Sequence, residues 1–248
     1  MGETERSRFD TVAAEYAAAR PAYPAELYEA IGAALPLPWP QATVLDVAAG
    51  TGIATRQLAE RAGRVLAVEL SANMLAQLLA ASPGIQAVQG SGNALPVRDA
   101  SADLVTYAQA FHWVDHVKAA AEALRVLRPH GVLALWWNRT DRESQWELDQ
   151  ERRIAVVNPG WSNKRGLSEE GEEELTDRFG FTVTEQEFRW ERDVAVEEHL
   201  LNLTSKSYVA ALPDRDAFIA EERRHLLDVF PSGVLTERFN TLLTLLAR

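Results

Sequence analysis

One stretch of this chain, from Thr43 to Glu69, restricts its fold more than any other. It reads TVLDVAAGTGIATRQLAERAGRVLAVE. A run of apolar strand formers comes first, then small residues, then helix formers, then a second apolar run that ends on an acid; these parts are Val44–Val47, Ala48–Gly52, Ile53–Arg61 and Val65–Val68. The order predicts a strand, a tight turn, a helix and a second strand, the repeating unit of an α/β fold.

The turn between the first strand and its helix has the features of a ligand site. It carries only small residues, so its backbone can approach a ligand closely, and the following helix directs its unpaired N–H groups to the same place. Glu69 follows Gly52 by 17 residues, at the carboxyl end of the second strand. A carboxylate at that position can accept both hydroxyls of a ribose, so we expect a nucleoside ligand.

The residues of the turn narrow the choice of nucleoside. A dinucleotide site needs G-x-G-x-x-G to seat a pyrophosphate, whereas this turn reads D-x-A-A-G-T-G, with Asp46 inside the strand. An acid is unfavourable beside a diphosphate and suits a ligand that carries an ammonium group. The pattern resembles the first motif, D/E-x-G-x-G-x-G, of the class I S-adenosylmethionine-dependent methyltransferases, which implies that Asp46, Ala48, Gly50 and Gly52 bind S-adenosylmethionine. Ala48 replaces the first glycine and is tolerated if its φ is negative. An ordinary βαβ unit without a ligand is the alternative.

Two further segments resemble the same family. FDTVAAEYAAARPAYP, from residue 9 to residue 24, is similar to the N-terminal cap of small-molecule methyltransferases, in which the tyrosine and the arginine approach the methionine part of the cofactor. This implies roles for Tyr16 and Arg20, with Tyr23 on the substrate side; a surface helix is the alternative. SANML is similar to the start of the family's second crossover helix, which places Leu70 and Met74 near the adenine, although a methionine at this spacing also suits a plain core.

The loop Gly90 to Pro96, GSGNALP, resembles the family's G-D-A-E-x-L-P loop, which holds the adenine. Ser91, Gly92 and Asn93 stand at the Asp, Ala and Glu positions. A hydroxyl accepts a hydrogen bond less strongly than a carboxylate, so we expect a weaker or water-mediated contact.

The fourth predicted strand, Ala102 to Ala108, runs into AQAFHW, at the sheet edge where chemistry gathers in open α/β folds. AQAFHW resembles a subgroup that esterifies small carboxylic acids such as trans-aconitate or acts on natural-product scaffolds; SKSYVAALP, residues 205–213, resembles it too. The resemblance implies a cofactor or acceptor role for Gln109, an acceptor role for His112, and a substrate-side position for Phe111, Trp113, Trp137, Asn138 and Tyr208. Gln109 and His112 could equally satisfy backbone groups at the turn.

The expected fold is an α/β, doubly wound, mostly parallel sheet of seven strands with a helical lid. We predict an N-terminal helical cap at 1–40, a cofactor-binding core at 41–138, a lid at 139–180, and the rest of the sheet with substrate-side helices at 181–248. The final segment, Thr241 to Leu246, is either the seventh strand or a helix.

Composition excludes several classes of function. The formal net charge is −11 with no dense Lys/Arg cluster, so neither nucleic acid nor an anionic membrane is an expected partner. The chain has no cysteine, which excludes disulfides and thiol nucleophiles. No apolar run approaches the length of a membrane span, and the expected location is the cytoplasm. The five histidines lack a convincing metal-ligand set, and the spacing of His112 and His116 is taken as coincidence.

The expected function is transfer of the methyl group of S-adenosylmethionine to a carboxylate, hydroxyl, nitrogen or activated carbon of a small molecule. A carboxylate needs no base, whereas the other acceptors lose a proton, for which His112 is the nearest candidate. A regulatory protein that binds the cofactor without chemistry is one alternative. An NAD(P)-dependent oxidoreductase is another, which the missing third glycine and Asp46 disfavour.

Overall fold

The fifth strand, β5 (Leu127–Thr140), is apolar at every position from Val132 to Trp137 because both of its faces are covered there. In the computed structural model, which describes residues 20–159, 161 and 166–247, Leu133, Leu135 and Trp137 point to one buried cluster and Val132 and Trp136 to the other. Successive side chains of a strand alternate between faces, so a strand covered on both sides reads as a continuous apolar run.

The described residues form one sheet of seven strands, in the order β3-β2-β1-β4-β5-β7-β6. The strands are Thr43–Val47 (β1), Arg64–Glu69 (β2), Gln86–Gln89 (β3), Ala102–Ala108 (β4), Leu127–Thr140 (β5), Thr182–Ala195 (β6) and Val234–Ala247 (β7). Strands β1 to β5 run parallel, and β7 lies antiparallel between β5 and β6. This confirms the predicted seven-stranded, mostly parallel sheet, and the undecided segment from Thr241 to Leu246 is strand.

Helices lie on both faces of the sheet. They are Ala25–Ala34 (α1), Ile53–Ala59 (α2), Ala72–Ala81 (α3), His116–Val126 (α4), Gln145–Val157 (α5), Glu169–Phe179 (α6), Val196–Thr204 (α7), Ser207–Ala210 (α8) and Arg215–Val229 (α9), with short 3-10 turns at Trp39–Gln41 and Phe111–Trp113. Helices α1 and α2 cover one face through Tyr28 and Leu58, whereas α4 and α6 cover the other through Ala123 and Leu175. Each of the described helices is too short or too polar to cross a bilayer.

Several boundaries differ from the sequence-based expectation because pairing between strands overrides local signals. Leu127 to Gly131, LRPHG, resembles the L-R-P-G-G turn of the methyltransferases, but it belongs to β5, where a register shift against β4 accommodates it. The charged segment from Asp141 to Val157 predicts a helix, but β5 continues to Thr140, opposite Phe239, and α5 begins only at Gln145. Strand β6 extends to Ala195 because β7 pairs with it along its whole length.

The region predicted as a lid divides into two parts. Helix α6 packs on the sheet through the fully buried Leu175, beside α4. Helix α5 instead packs through Ile154 against α7 and α9 and borders a cavity at the edge of the sheet. The lid function therefore remains a prediction for α5 and its neighbours.

Candidate active site

The turn after β1 is held in a left-handed conformation. The φ angles of Ala48, Gly50 and Gly52 are +54°, +59° and +83°. Alanine was expected to be tolerated at position 48 if its φ were negative, but the φ is positive. Ala48 therefore adopts a backbone conformation that favours glycine. Gly52 is required, because a Cβ there would lie 2.8 Å from Cγ of Leu78.

Glu69, at the end of β2, fixes this turn. Its Oε2 accepts the backbone N–H of Gly50 at 2.8 Å and its Oε1 accepts that of Ser71 at 2.7 Å. A carboxylate has about four acceptor sites, so holding the backbone is compatible with accepting ribose hydroxyls. The side chain is nearly buried, yet it lines a cavity.

Asp46 lies beneath the turn, fully buried. It accepts hydrogen bonds from the hydroxyls of Thr55 at 2.6 Å and Thr106 at 2.8 Å, which tie α2 and β4 to β1. The pKa of Asp46 is raised to about 6. Burial is the main cause; the two hydroxyl hydrogen bonds lower the pKa, and the negative charge of Glu69 raises it. Asp46 thus anchors the turn and does not line the cavity.

Three side-chain hydrogen bonds around Ser91, Gly92 and Asn93 help to hold the loop after β3 in place. Ser91 Oγ accepts the N–H of Asn93 at 3.2 Å, and the hydroxyl of Tyr107 donates to the carbonyl of Gly92 at 3.3 Å. The side chain of Asn93 in turn accepts the N–H of Asp115 at 3.1 Å. The loop is therefore positioned by β4 and by the start of α4.

These loops enclose a first cavity of about 300 Å³, the lower end of the range usual for ligand sites. Nine of the residues assigned to the cofactor line it: Ala48, Gly50, Glu69, Leu70, Met74, Ser91, Gly92, Asn93 and Gln109. Trp113, expected on the substrate side, lines the first cavity as well. Four residues that lie within the quoted motifs but had no assigned role also line it, namely Ser71, Gly90, Ala108 and Ala110. Val114, which directly follows AQAFHW, lines it too.

Gln109 leaves the end of β4 with a φ of +58°, and its N–H donates to the carbonyl of Trp136 at 2.8 Å. A non-glycine residue in this conformation is strained and is enriched at functional sites. Gln109 borders the first cavity and also a second one. The two cavities therefore meet at this side chain.

The second cavity is bounded by the N-terminal segment, β5, α5, α7 and β7. Predicted residues on its wall are Arg20, Tyr23, Gln109, Asn138 and Tyr208. Polar residues that the sequence analysis missed are Arg139, Thr140, Glu147, Gln150, Glu151, His199, Asn202, Lys206 and Glu237. The missed residues come from separate helices and strands that only the tertiary structure brings together.

Hydrogen bonds fix two of the predicted residues of this wall, Tyr23 through its backbone and Asn138 through its side chain. Gln57 accepts the N–H of Tyr23 at 3.1 Å and donates to its carbonyl at 3.0 Å. Asn138 accepts the hydroxyl of Thr241 at 2.7 Å. Tyr16, assigned to the same region, lies outside the described residues.

Of the predicted residues that the structure describes, five line neither cavity; besides Asp46 and Gly52, they are Phe111, His112 and Trp137. His112 is exposed, and its Nδ1 accepts the indole N–H of Trp137 at 3.3 Å. Trp137 is fully buried in the core. Phe111 is fully buried too, between the rings of Tyr107 and His116 at centroid distances of 5.0 and 4.9 Å.

Among residues 20–159, 161 and 166–247, no group of three or more histidine, aspartate or glutamate side chains is arranged to hold a metal ion.

The chain resembles known methyltransferases in sequence and structure. The profile of a family described as "Methyltransferase domain" matches residues 45–135. An uncharacterized methyltransferase of Mycobacterium tuberculosis (strain ATCC 25618 / H37Rv) is 41% identical over 138 residues, which is 56% of this chain and 55% of that protein. The match thus spans about half the length of that relative.

Two further matches cover more of the chain. An uncharacterized methyltransferase of Schizosaccharomyces pombe (strain 972 / ATCC 24843) is 32% identical over 207 residues, 83% of this chain and 80% of that protein. The solved structure of a candidate type II methyltransferase from Anaeromyxobacter dehalogenans superposes with a TM-score of 0.71 and 26% identity, covering 92% of this chain and 97% of the other. Because the Schizosaccharomyces pombe match covers most of both proteins, the chain belongs to the methyltransferase family.

Proposed function

We propose that this chain transfers the methyl group of S-adenosylmethionine to a small-molecule acceptor. The observation that carries the proposal is the position of Gln109, which borders the first cavity on one side and the second on the other. A methyl transferase needs its cofactor and its acceptor to meet at one point, and Gln109 marks that point.

The residues of the first cavity suit S-adenosylmethionine. Glu69 offers a carboxylate to the ribose hydroxyls at the end of β2, and Met74 and Trp113 offer apolar surface to an adenine. The turn from Ala48 to Gly52 brings backbone close to the ligand, and the buried carboxyl group of Asp46 anchors that turn through Thr55 and Thr106.

When bound, S-adenosylmethionine supplies an electrophilic methyl group on a sulfonium. The chain's own contribution is alignment and exclusion of water, which in-line displacement mainly requires. Tyr23, held by Gln57, and Asn138, held by Thr241, form a fixed wall for the acceptor. Gln109 orients the two reactants where the cavities meet.

The acceptor is a small polar molecule. The second cavity is lined by positively charged, negatively charged and amide side chains. This lining supports recognition of a metabolite through hydrogen bonds. The resemblance of AQAFHW to enzymes that methylate small acids and natural products agrees with this, and leaves carboxylate, hydroxyl, nitrogen and carbon acceptors open.

Two measurements test the proposal. Calorimetric titration should show binding of S-adenosylhomocysteine, whereas NADH should not bind. Incubation with S-adenosylmethionine and a panel of small acids, phenols, alcohols and amines should then give products heavier by one methyl group. Binding without any product would favour the regulatory alternative, and absence of binding would refute the proposal.

A further inference from the structure

Two buried oxygen atoms on the wall of the second cavity have no hydrogen-bond partner within the described part of the chain. They are Oε2 of Glu147, on α5, and Oδ1 of Asn202, on α7. Glu147 is 8% exposed and Asn202 is 3% exposed. Buried acceptors without a donor are rare in folded proteins, and the two residues that carry these oxygens line the second cavity. The pair is therefore suited to a ligand that donates hydrogen bonds.

The histidine on the same wall is already committed to hydrogen bonds at both ring nitrogens. His199 Nδ1 lies 2.7 Å from Oε1 of Glu237, and its Nε2 lies 3.1 Å from Oε1 of Gln150. The amide of Gln150 is oriented by its own N–H, which donates to Glu222 at 3.1 Å. Both nitrogens of His199 thus already have a side-chain partner.

Glu237 is equally committed. It is buried, and Arg192 donates to its Oε2 at 2.7 Å while His199 bonds its Oε1. Burial raises the pKa of Glu237, but the hydrogen bond and charge of His199 and the charge of Arg192 lower it to about 2. Such a carboxylate stays ionised throughout the physiological range and is a poor proton acceptor. His112, whose Nδ1 accepts an indole N–H, lies outside both cavities.

Glu147 differs from these groups. Burial raises the pKa of Glu147 to about 7, although hydrogen bonds with the side chain of Ser144 and the backbone of Arg238 lower it. The negative charge of Glu237 raises this pKa and the charge of Lys206 lowers it, both by less. A base works best when its pKa lies near the working pH. The other charged or titratable groups around the same cavity are Arg20, Tyr23, Arg139, Glu151, His199 and Tyr208.

We propose that the second cavity takes an acceptor whose nucleophilic atom carries a proton, an alcohol, phenol or amine, and that Glu147 receives that proton. The proposal rests on the proposed methyl transfer and deepens it. The acceptor's O–H or N–H donates to Oε2 of Glu147, and a second donor group of the acceptor bonds Oδ1 of Asn202. In the reaction the acceptor's lone pair forms the new bond to the methyl carbon, the S–CH₃ bond breaks, and its electron pair remains on sulfur. The acceptor's proton passes to the carboxylate of Glu147.

Binding tests the proposal independently of turnover. Phenol and benzoate serve as probes of similar size that differ in the group presented, and each is titrated at pH 8 in the presence of S-adenosylhomocysteine. The native protein should prefer phenol, and Glu147→Gln should reduce that preference about tenfold or more, the effect expected for a hydrogen bond to a charged group. Preference for benzoate, no binding of phenol, or an unchanged preference in the variant would overturn the proposal.

Turnover gives a second test. With an alcohol, phenol or amine that the native protein methylates, Glu147→Gln should lower the rate about 10²–10⁴-fold, the range for loss of a general base, and should abolish the rise of rate with pH near 7. The affinity for S-adenosylhomocysteine should not change. Glu143→Gln, which alters an exposed side chain paired with Arg189, is the matched control and should keep the native rate. Methyl transfer restricted to carboxylic acids would overturn the Glu147 proposal alone, whereas failure to bind S-adenosylhomocysteine would overturn the proposed function as well.

Discussion

Glu69 and Gly50 are joined by a hydrogen bond of 2.8 Å, from the N–H of the glycine to Oε2 of the acid. The end of β2 therefore fixes the turn that follows β1, and one carboxylate both shapes the first cavity and lines it. Because the Glu69 side chain has both roles, its removal should lower both the affinity for the ligand and the stability of the protein.

Replacing Glu69 with alanine should weaken S-adenosylmethionine binding by about 1.5–3 kcal/mol, the range for hydrogen bonds to a charged group. It should also lower the free energy of unfolding by about 1–3 kcal/mol, because the N–H groups of Gly50 and Ser71 lose their acceptor. Calorimetry and urea unfolding measure the two effects. Glu60→Ala, at an exposed side chain, is the control and should change neither. Native affinity in Glu69→Ala would refute the ribose assignment.

Ala48 and Ala100 both have a positive φ, +54° and +46°, and form a matched pair for glycine substitution. A left-handed alanine is less stable than a glycine by about 1–2 kcal/mol, and the greater freedom of glycine in the unfolded chain cancels about 0.4–1 kcal/mol of that gain. Ala100 is exposed, so Ala100→Gly should stabilise the protein by about 0.5–1 kcal/mol. The methyl group of Ala48 packs against the core, and losing it costs about 0.8 kcal/mol, so Ala48→Gly should be nearly neutral.

Thermal and urea unfolding of the two variants test this difference. Equal stabilisation of both would mean that the packing of the Ala48 methyl group contributes nothing. A near-neutral Ala48→Gly would explain how alanine replaces a motif glycine despite its conformation.

Asp46 predicts a pH dependence of stability. Its pKa is raised from 3.8 to about 6, so the folded protein binds this proton more tightly than the unfolded chain does. The associated stability is fully present below pH 3.8, decreases as pH rises, and is lost above about pH 6; the total is about 3 kcal/mol. Asp46→Asn removes the titration. The free energy of unfolding of this variant relative to the native protein should therefore be higher at pH 8 than at pH 4. A difference that does not vary with pH would contradict the raised pKa.

Gln109 combines a strained backbone with a position between the two cavities, and two substitutions separate these features. Gln109→Ala removes the side chain and keeps the strain, whereas Gln109→Gly also relieves the strain. Both should lower methyl transfer, and the glycine variant should be more stable than the alanine variant by about 1 kcal/mol. Single-turnover rates and urea unfolding measure these effects. His130→Gly, at an exposed residue with φ +66° outside both cavities, is the control and should gain stability while keeping the native rate. Native rates in both Gln109 variants would show that this side chain takes no part in transfer.

The sequence predicted the first cavity better than the second because the first is built from local signals. The glycine turn, Glu69 and the loop at Ser91 each follow a strand, and parallel strands bring their carboxyl ends to the same edge. The second cavity depends on how α5, α7 and β7 pack together, so Glu147 and Glu237 carried no local signal. Trp137 was misjudged for a related reason, since only the register of β5 decides which of two adjacent tryptophans faces which side.

The sequence predicts His112 as the general base, whereas the structure favours Glu147. The contact between His112 and Trp137 distinguishes these two candidates. Trp137 donates its indole N–H to Nδ1 of His112, so the neutral ring carries its proton on Nε2 and presents a donor there. A donor can orient an acceptor molecule but cannot take its proton. Because His112 also lines neither cavity, His112→Gln should leave S-adenosylhomocysteine affinity unchanged and lower kcat/KM less than tenfold, with the pH profile preserved. Glu147→Gln should instead lower kcat about 10²–10⁴-fold. Steady-state rates from pH 5.5 to pH 9 distinguish the two, and a larger loss in His112→Gln than in Glu147→Gln would return the role of base to the histidine.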